Sequence, residues 1–322
     1  VVEEAFDYMV ESYAERIVAD IESLEKILQK EKINTILLRA SIGGRQHHFF
    51  LISQIAKRLN IPSIELQHAG AVFDPQSVHS RLSTSYLAAY GEVEREQYTR
   101  NGYAAARIRP VGSPRFDEYL TRRESLIAGR TYTLSVLGFD PKRPVILAAV
   151  PSEEIRISPL DFSSYDIASF FGEIKKAQAL LPNVQWILKF RPHSCTVAHR
   201  ICVEKLFPDG DVVISEGDPY PLICASDIIS SGNSTMMYET MISGQPLILF
   251  PWKEGDYHLS IYGAIAPLAC TGIDLATAVQ KLLMDKKYES EVLAAEQIFI
   301  KKHAFDGRSA ERVAALLRRI DF

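Results

Sequence analysis

Asp227-Ile228-Ile229-Ser230-Ser231-Gly232-Asn233-Ser234-Thr235-Met236-Met237-Tyr238-Glu239 is the stretch on which the reading of the fold turns. Residues 227–230, with Ile228 and Ile229 at their centre, read as a short strand. A turn of hydroxyls, one amide and one glycine follows, and residues 235–243 then take helical spacing before a second apolar strand over 246–250. Strand, polar turn, helix and strand together make a βαβ unit, because parallel strands need a crossover connection.

Working outward, the same alternation fills the second half of the chain. Strands are predicted over 145–150, 185–190 and 212–214, and helices over 167–181, 200–206, 219–226, 274–284 and 309–320. Alternating strands and helices point to an α/β fold with a doubly wound parallel sheet. The first half repeats the pattern in shorter form. A helix is predicted over the first thirty residues, strands over 33–38, 61–66, 84–89 and 108–111, and helices over 49–59 and 92–101. The polar, charged stretch 120–143 ends in Asp140-Pro141-Lys142-Arg143-Pro144 and reads as a linker. Two domains follow: 1–125, which is expected to lack opening strands, and 145–322.

Composition narrows the function classes. The 322 residues are 47% hydrophobic and 24% charged, as in ordinary globular proteins. The net charge of -4, with no long single-sign block, gives no footprint for nucleic acid. Cys195, Cys202, Cys224 and Cys270 form no CxxC pair and no zinc-ligand spacing, so they read as reduced thiols of a cytoplasmic protein. No apolar run approaches the ~20 residues of a membrane span, and no signal peptide is visible. The first residue is Val, so a segment is expected to precede it.

In open α/β sheets, ligands bind at the carboxyl ends of the strands. Three strand ends carry more polar chemistry than packing requires. Ser230, Ser231, Gly232, Asn233, Ser234 and Thr235 open a helix, where free N–H groups and the helix dipole suit a phosphate. Such residues are equally favoured as plain helix caps. Glu239, about one turn on, is placed to accept hydrogen bonds from ribose hydroxyls. Lys189, Arg191 and His193 end the strand over 185–190 and suit a phosphate or leaving group, or a solvated loop. His68, after the strand over 61–66, has an unperturbed pKa suited to a general base, though an isolated histidine is more often incidental. Glu153, Glu154, Lys253, Asp256 and His258 are weaker candidates, and the Gly112-Ser113-Pro114-Arg115 stretch with Asp117 reads as a tight turn and cap. No GxxxxGK[ST], GxGxxG or GxSxG motif occurs, which disfavours P-loop NTPases, NAD-type Rossmann enzymes and α/β-hydrolases.

Taken in order, these segments resemble a known superfamily. Ile64-Glu65-Leu66-Gln67-His68-Ala69-Gly70 is similar to the Gln-His-Gly strand end of GT-B-fold transferases that build bacterial surface polymers, with Ala69 where a glycine is usual. Ala89-Tyr90-Gly91 and the run 109–117 resemble a pair of motifs in that group. Residues 189–193 resemble the Lys-x-His-Pro motif of capsule Kdo- and sialyltransferases and of CDP-glycerol glycerophosphotransferases, with Ser194 in place of the proline. The run 227–246 resembles their donor loop, and Asp306-Gly307-Arg308-Ser309-Ala310-Glu311-Arg312 their closing motif. The resemblance implies a GT-B fold of two Rossmann-like domains facing a cleft. It implies metal-independent transfer of a sugar or sugar-like group from a CMP-, CDP- or UDP-type donor, with no further cofactor. The expected acceptor is a glycan or lipid-linked glycan of the cell envelope, which admits peripheral association with the inner face of the membrane. His193, Ser234 and Thr235 then lie near the donor phosphate, Glu239 near the ribose, and His68 is the candidate base. The rival readings are a UDP-N-acetylglucosamine 2-epimerase-type enzyme and a non-catalytic nucleotide-sugar-binding protein.

Overall fold

The computed structural model describes residues 2–39, 47–68, 81–151, 167–232, 234–251 and 265–319. The chain divides into two compact units, one made of residues 1–114 with 303–322 and the other of residues 115–302.

The first unit holds a four-stranded sheet in the order β1 (Ile36–Leu38), β2 (Ser63–Leu66), β3 (Tyr86–Ala89), β4 (Ile108–Pro110), every neighbouring pair parallel. Helix α1 (Val2–Lys30) precedes it, α2 (His47–Arg58) joins β1 to β2, and α3 (Glu92–Arg100) lies between β3 and β4. Strands added one after another in the same direction, with right-handed crossovers, put their helices on one face. On that face Ile36 and Leu38 meet Ala56 and Ile52 of α2, while Leu87, Ala89 and Ile108 meet Tyr98 of α3. The side-chain period of two turns Ile64, Ala88 and Val111 to the opposite face. There they are covered by Val313, Leu316 and Leu317 of the last helix in the chain.

The second unit begins with α4 (Pro114–Ala128), only its first residue falling outside, and α5 (Arg130–Val136). Five parallel strands follow, β5 (Val145–Ala149), β6 (Gln185–Lys189), β7 (Val212–Ser215), β8 (Ile228–Ser231) and β9 (Leu247–Leu249), in the order β7-β6-β5-β8-β9. This is a doubly wound, Rossmann-like order that reverses between β5 and β8. One face packs Ile146, Ala148, Trp186 and Leu188 against Phe170, Phe171 and Ile174 of α6 (Ile167–Leu180) and Leu275 and Val279 of α10 (Gly272–Met284). Helix α7 (Val197–Leu206) follows β6. Beyond the other face lie α8 (Pro219–Ala225) and α9 (Met236–Ser243), and α11 (Lys286–Ile300) packs against α9. Among the described residues, no helix is long and apolar enough to cross a membrane.

Two boundaries differ from the sequence reading. The stretch 120–143, expected as a linker, is largely helical. Its Arg122 pairs along the helix with Glu118, just upstream, at 2.8 Å, while Leu134 and Phe139 are buried. The last helix, α12 (Ser309–Arg319), follows the second domain's elements in sequence but packs on the first unit, because the bare face of the first sheet needs an apolar partner. Helix α11 has no counterpart in the sequence reading; its polar, weakly periodic face hid Val292, Phe299 and Ile300, which are buried.

Candidate functional site

The reversal between β5 and β8 is where ligands of doubly wound sheets bind. The residues at these strand ends are therefore the ones to follow. β8 ends in Ser230 and Ser231, both buried, and the chain runs through Gly232 into α9. A Cβ at Gly232 would come within 3.3 Å of the Phe250 carbonyl oxygen, so the turn lies close against the end of the next strand. The hydroxyl of Ser230 is buried and has no hydrogen-bond partner among the described residues, an arrangement that carries a desolvation cost. At the start of α9, Ser234 Oγ accepts the Met236 N–H at 3.3 Å, and Thr235 caps the helix without a side-chain bond. Asn233 lies outside the described residues, as do Glu153, Glu154, Lys253, Asp256 and His258.

Every residue of α9 is buried, so Glu239, in its first turn, is a carboxylate inside protein, 1% exposed. Burial pushes its pKa above the usual carboxylate range, and the guanidinium of Arg115 pulls the other way. Arg115, from the start of α4, donates directly to Glu239 Oε1. Tyr119, one turn further along α4, also opposes that rise, and its own pKa is raised to about 12, chiefly by burial. The Tyr119 ring stacks on Tyr220 of α8 at 3.9 Å between centroids, which fixes its position.

Lys189, the last residue of β6, is also buried, and its ammonium donates to the Phe190 carbonyl. Burial lowers its pKa, and the charges of Glu239, then Asp218 and Glu216, oppose that fall. Lys189 and Glu239 therefore share one electrostatic neighbourhood, although they are fifty residues apart in sequence.

After β6 the chain turns through Arg191, Pro192 and His193. The Ser194 N–H bonds back to the Arg191 carbonyl at 3.1 Å. His193 sits at φ 62°, the left-handed conformation demanded of the third residue of such a Pro-containing turn. A non-glycine residue there carries strain of order 1 kcal/mol or more. Glu216, just after β7, steadies the turn: it accepts the Cys195 N–H at 3.1 Å and pairs with Arg200 at 2.9 Å. The Cys195 hydrogen bond is the main reason its pKa is lowered. His193 and Arg191 are exposed.

His68 belongs to the first unit, two residues past β2, and is half-buried. Its neighbour Gln67 is a structural residue, with Oε1 accepting the Tyr90 N–H at 2.8 Å to tie the ends of β2 and β3 together. The closing motif is likewise structural. Arg312 donates to the Val111 carbonyl at 2.9 Å, to the Ala304 carbonyl at 2.6 Å and to Asp306.

The structure thus sets Ser230, Ser231, Gly232, Ser234, Thr235 and Glu239 along one strand end and the helix it feeds, and brings Lys189 into the same electrostatic field. Sequence reasoning missed Arg115, Tyr119 and Glu216. In sequence Arg115 belongs to a tight turn and cap, and nothing local marks a contact across more than a hundred residues. The four cysteines are free.

Two parallel-sheet, Rossmann-like units define the GT-B class of α/β proteins. The sequence matches no protein-family model and no curated protein. Solved structures of this fold do match. The UDP-GlcNAc 2-epimerase from Neisseria meningitidis bound to UDP-GlcNAc is similar with a TM-score of 0.64 at 15% identity, over 95% of this chain and 82% of that one. The UDP-GlcNAc 2-epimerase from Methanocaldococcus jannaschii gives 0.62 at 16% identity, over 95% and 82%. The wall teichoic acid polymerase TagF gives 0.57 at 13% identity, over 89% and 72%.

Proposed function

We propose that this chain is a nucleotide-sugar-dependent enzyme. Our reading is a metal-independent transferase that moves a sugar or glycerophosphate-type group from a CMP-, CDP- or UDP-activated donor to a cell-envelope glycan or lipid-linked acceptor. It would work on the cytoplasmic side, in peripheral contact with the membrane. The observation that carries this reading is the turn at the end of β8, at the point where strand order reverses, opening a buried helix with a buried carboxylate in its first turn.

In this reading the donor phosphate lies over Ser230, Ser231, Gly232, Asn233, Ser234 and Thr235, where N–H groups at a helix start favour an anion. Glu239 accepts hydrogen bonds from the ribose hydroxyls. The acceptor hydroxyl attacks the transferred group, the bond to the donor phosphate breaks, and the proton passes to His68. Lys189, Arg191 and His193 offset the charge that grows on the leaving phosphate.

A second reading has its own support: UDP-GlcNAc 2-epimerases recur among the similar solved structures. An epimerase would eliminate UDP and re-add it without an acceptor. Incubation with UDP-GlcNAc alone separates the two, since acceptor-independent epimerisation or release of free sugar favours the epimerase, and product formed only with a glycan acceptor favours the transferase.

The test of the shared core is a thermal-shift panel of CMP, CDP, UDP and GDP. A ligand at a hundred times its Kd raises native-state stability by about 2.7 kcal/mol. We expect UDP or CDP to raise Tm clearly. No shift with any of the four would remove the nucleotide-site reading.

A further inference from the structure

Glu239 and Arg115 form a contact that the roles above do not use. Glu239 is 1% exposed, yet its carboxylate is met directly by a guanidinium whose own side chain is 53% exposed. The pair joins two elements far apart in sequence, the start of α4 and the first turn of α9, within one unit. The charged and titratable groups around the carboxylate are Arg115 and Tyr119 from α4, Lys189 from the end of β6 and Asp218 at the start of α8. Among the described residues Arg115 is the cation in hydrogen-bond contact with the carboxylate, whereas the Lys189 ammonium donates to the Phe190 carbonyl.

A carboxylate at this depth keeps its charge only when a cation answers it. An ionised carboxylate offers about four lone-pair positions and only accepts, so it holds Arg115 and still receives both hydroxyls of a cis-diol. A protonated acid has fewer acceptor positions and presents a donor. Which form faces the ligand therefore depends on Arg115.

We propose that Arg115 is the positioning residue of the ribose site: its guanidinium holds Glu239 as an oriented carboxylate, and so makes the site selective for a nucleotide that carries both the 2′- and 3′-hydroxyls. This rests on the reading of Glu239 as the ribose ligand. Arg115 is assigned no contact with the reacting atoms; it acts through Glu239, and Tyr119, stacked on Tyr220, supports the same geometry.

The test measures binding of UDP, CDP and their 2′-deoxy forms by calorimetry between pH 5.5 and 8.5, in the full chain and in Arg115→Gln, Arg115→Lys and Glu239→Gln. In the unaltered chain we expect the ribonucleotide to bind about tenfold or more tightly than its deoxy form, the scale of a hydrogen bond to a charged group. Glu239→Gln should abolish that preference. Arg115→Gln should lose most of it at low pH and recover part as pH rises and Glu239 ionises unaided. Arg115→Lys should restore it. A merely structural Arg115 would lower Tm without introducing pH dependence, and that result overturns the proposal. If the unaltered chain binds neither UDP nor CDP, the nucleotide-site reading fails first. If it binds with a preference that Glu239→Gln removes but Arg115→Gln leaves intact at every pH, the inference about Arg115 alone fails.

Discussion

Glu296 on α11 is fully buried, with one oxygen accepting the Leu247 N–H at 2.9 Å and the other without a partner among the described residues. Burial raises its pKa from 4.5 to about 8. In the unfolded chain the same acid loses its proton near 4.5, so between those values the folded state holds a proton that the unfolded state has released. Stability from this group is therefore full below about pH 4.5 and is lost as pH rises toward 8, by at most about 1.4 kcal/mol per pH unit. Glu296→Gln keeps the acceptor and removes the titration. We expect the variant to gain Tm relative to the unaltered chain at pH 8 and to gain little at pH 4.5, read by calorimetry across that range. A difference that does not change with pH would count against a neutral buried acid. At the proposed site the comparable substitution is His193→Ala, which should cut turnover by an order of magnitude or more while moving nucleotide Kd little. Unchanged turnover would remove His193 from the mechanism. Glycine in place of His193 gives a useful contrast, since it relieves the strain at φ 62° but supplies no imidazole.

At the scale of elements, α4 and α5 deserve the name of a strap. Arg115 meets Glu239, Arg123 donates to the Ser243 carbonyl at the end of α9 at 2.7 Å, and Arg130 meets the Ala225 carbonyl and Asp227, the latter at 2.9 Å. Two of these arginines answer the carbonyl ends of α8 and α9, where cations are favoured. Arg123→Ala should cost about 1–2 kcal/mol in denaturant unfolding, because it leaves a partly buried helix end with one donor fewer. A cost below a few tenths would show that water replaces the arginine fully. The sequence hid this strap because charge density there suggested solvent, and because arginine partners lie about a hundred residues away. The strands were easier to see. Apolar runs such as Val145–Ala149 and Gln185–Lys189 stand out by composition, and both pair in the expected parallel sense. Serines around a glycine were legible as a strand-to-helix turn. That Glu239 is buried, and that Lys189 shares its field, required the packing of α8 and α9 to be seen.

At the scale of the whole molecule, the chain leaves the first unit after residue 114 and comes back at 303. Gly112 stands at that exit with φ 84°, and a Cβ there would lie 2.1 Å from the Ala304 carbonyl oxygen and 2.4 Å from Ser309 Oγ. Gly112→Ala meets both a strained backbone and immovable carbonyl oxygen, so we expect a loss above about 2 kcal/mol. Calorimetry should show the loss in the transition of the first unit, with that of residues 115–302 little changed. Equal lowering of both would mean that the units unfold as one.

That return has a consequence for how the protein is made. A ribosome must finish the whole of residues 115–302 before Val313, Leu316 and Leu317 exist to cover Ile64, Ala88 and Val111. The half begun first is thus completed last, and its apolar sheet face waits uncovered in the nascent chain while the other half is being synthesised.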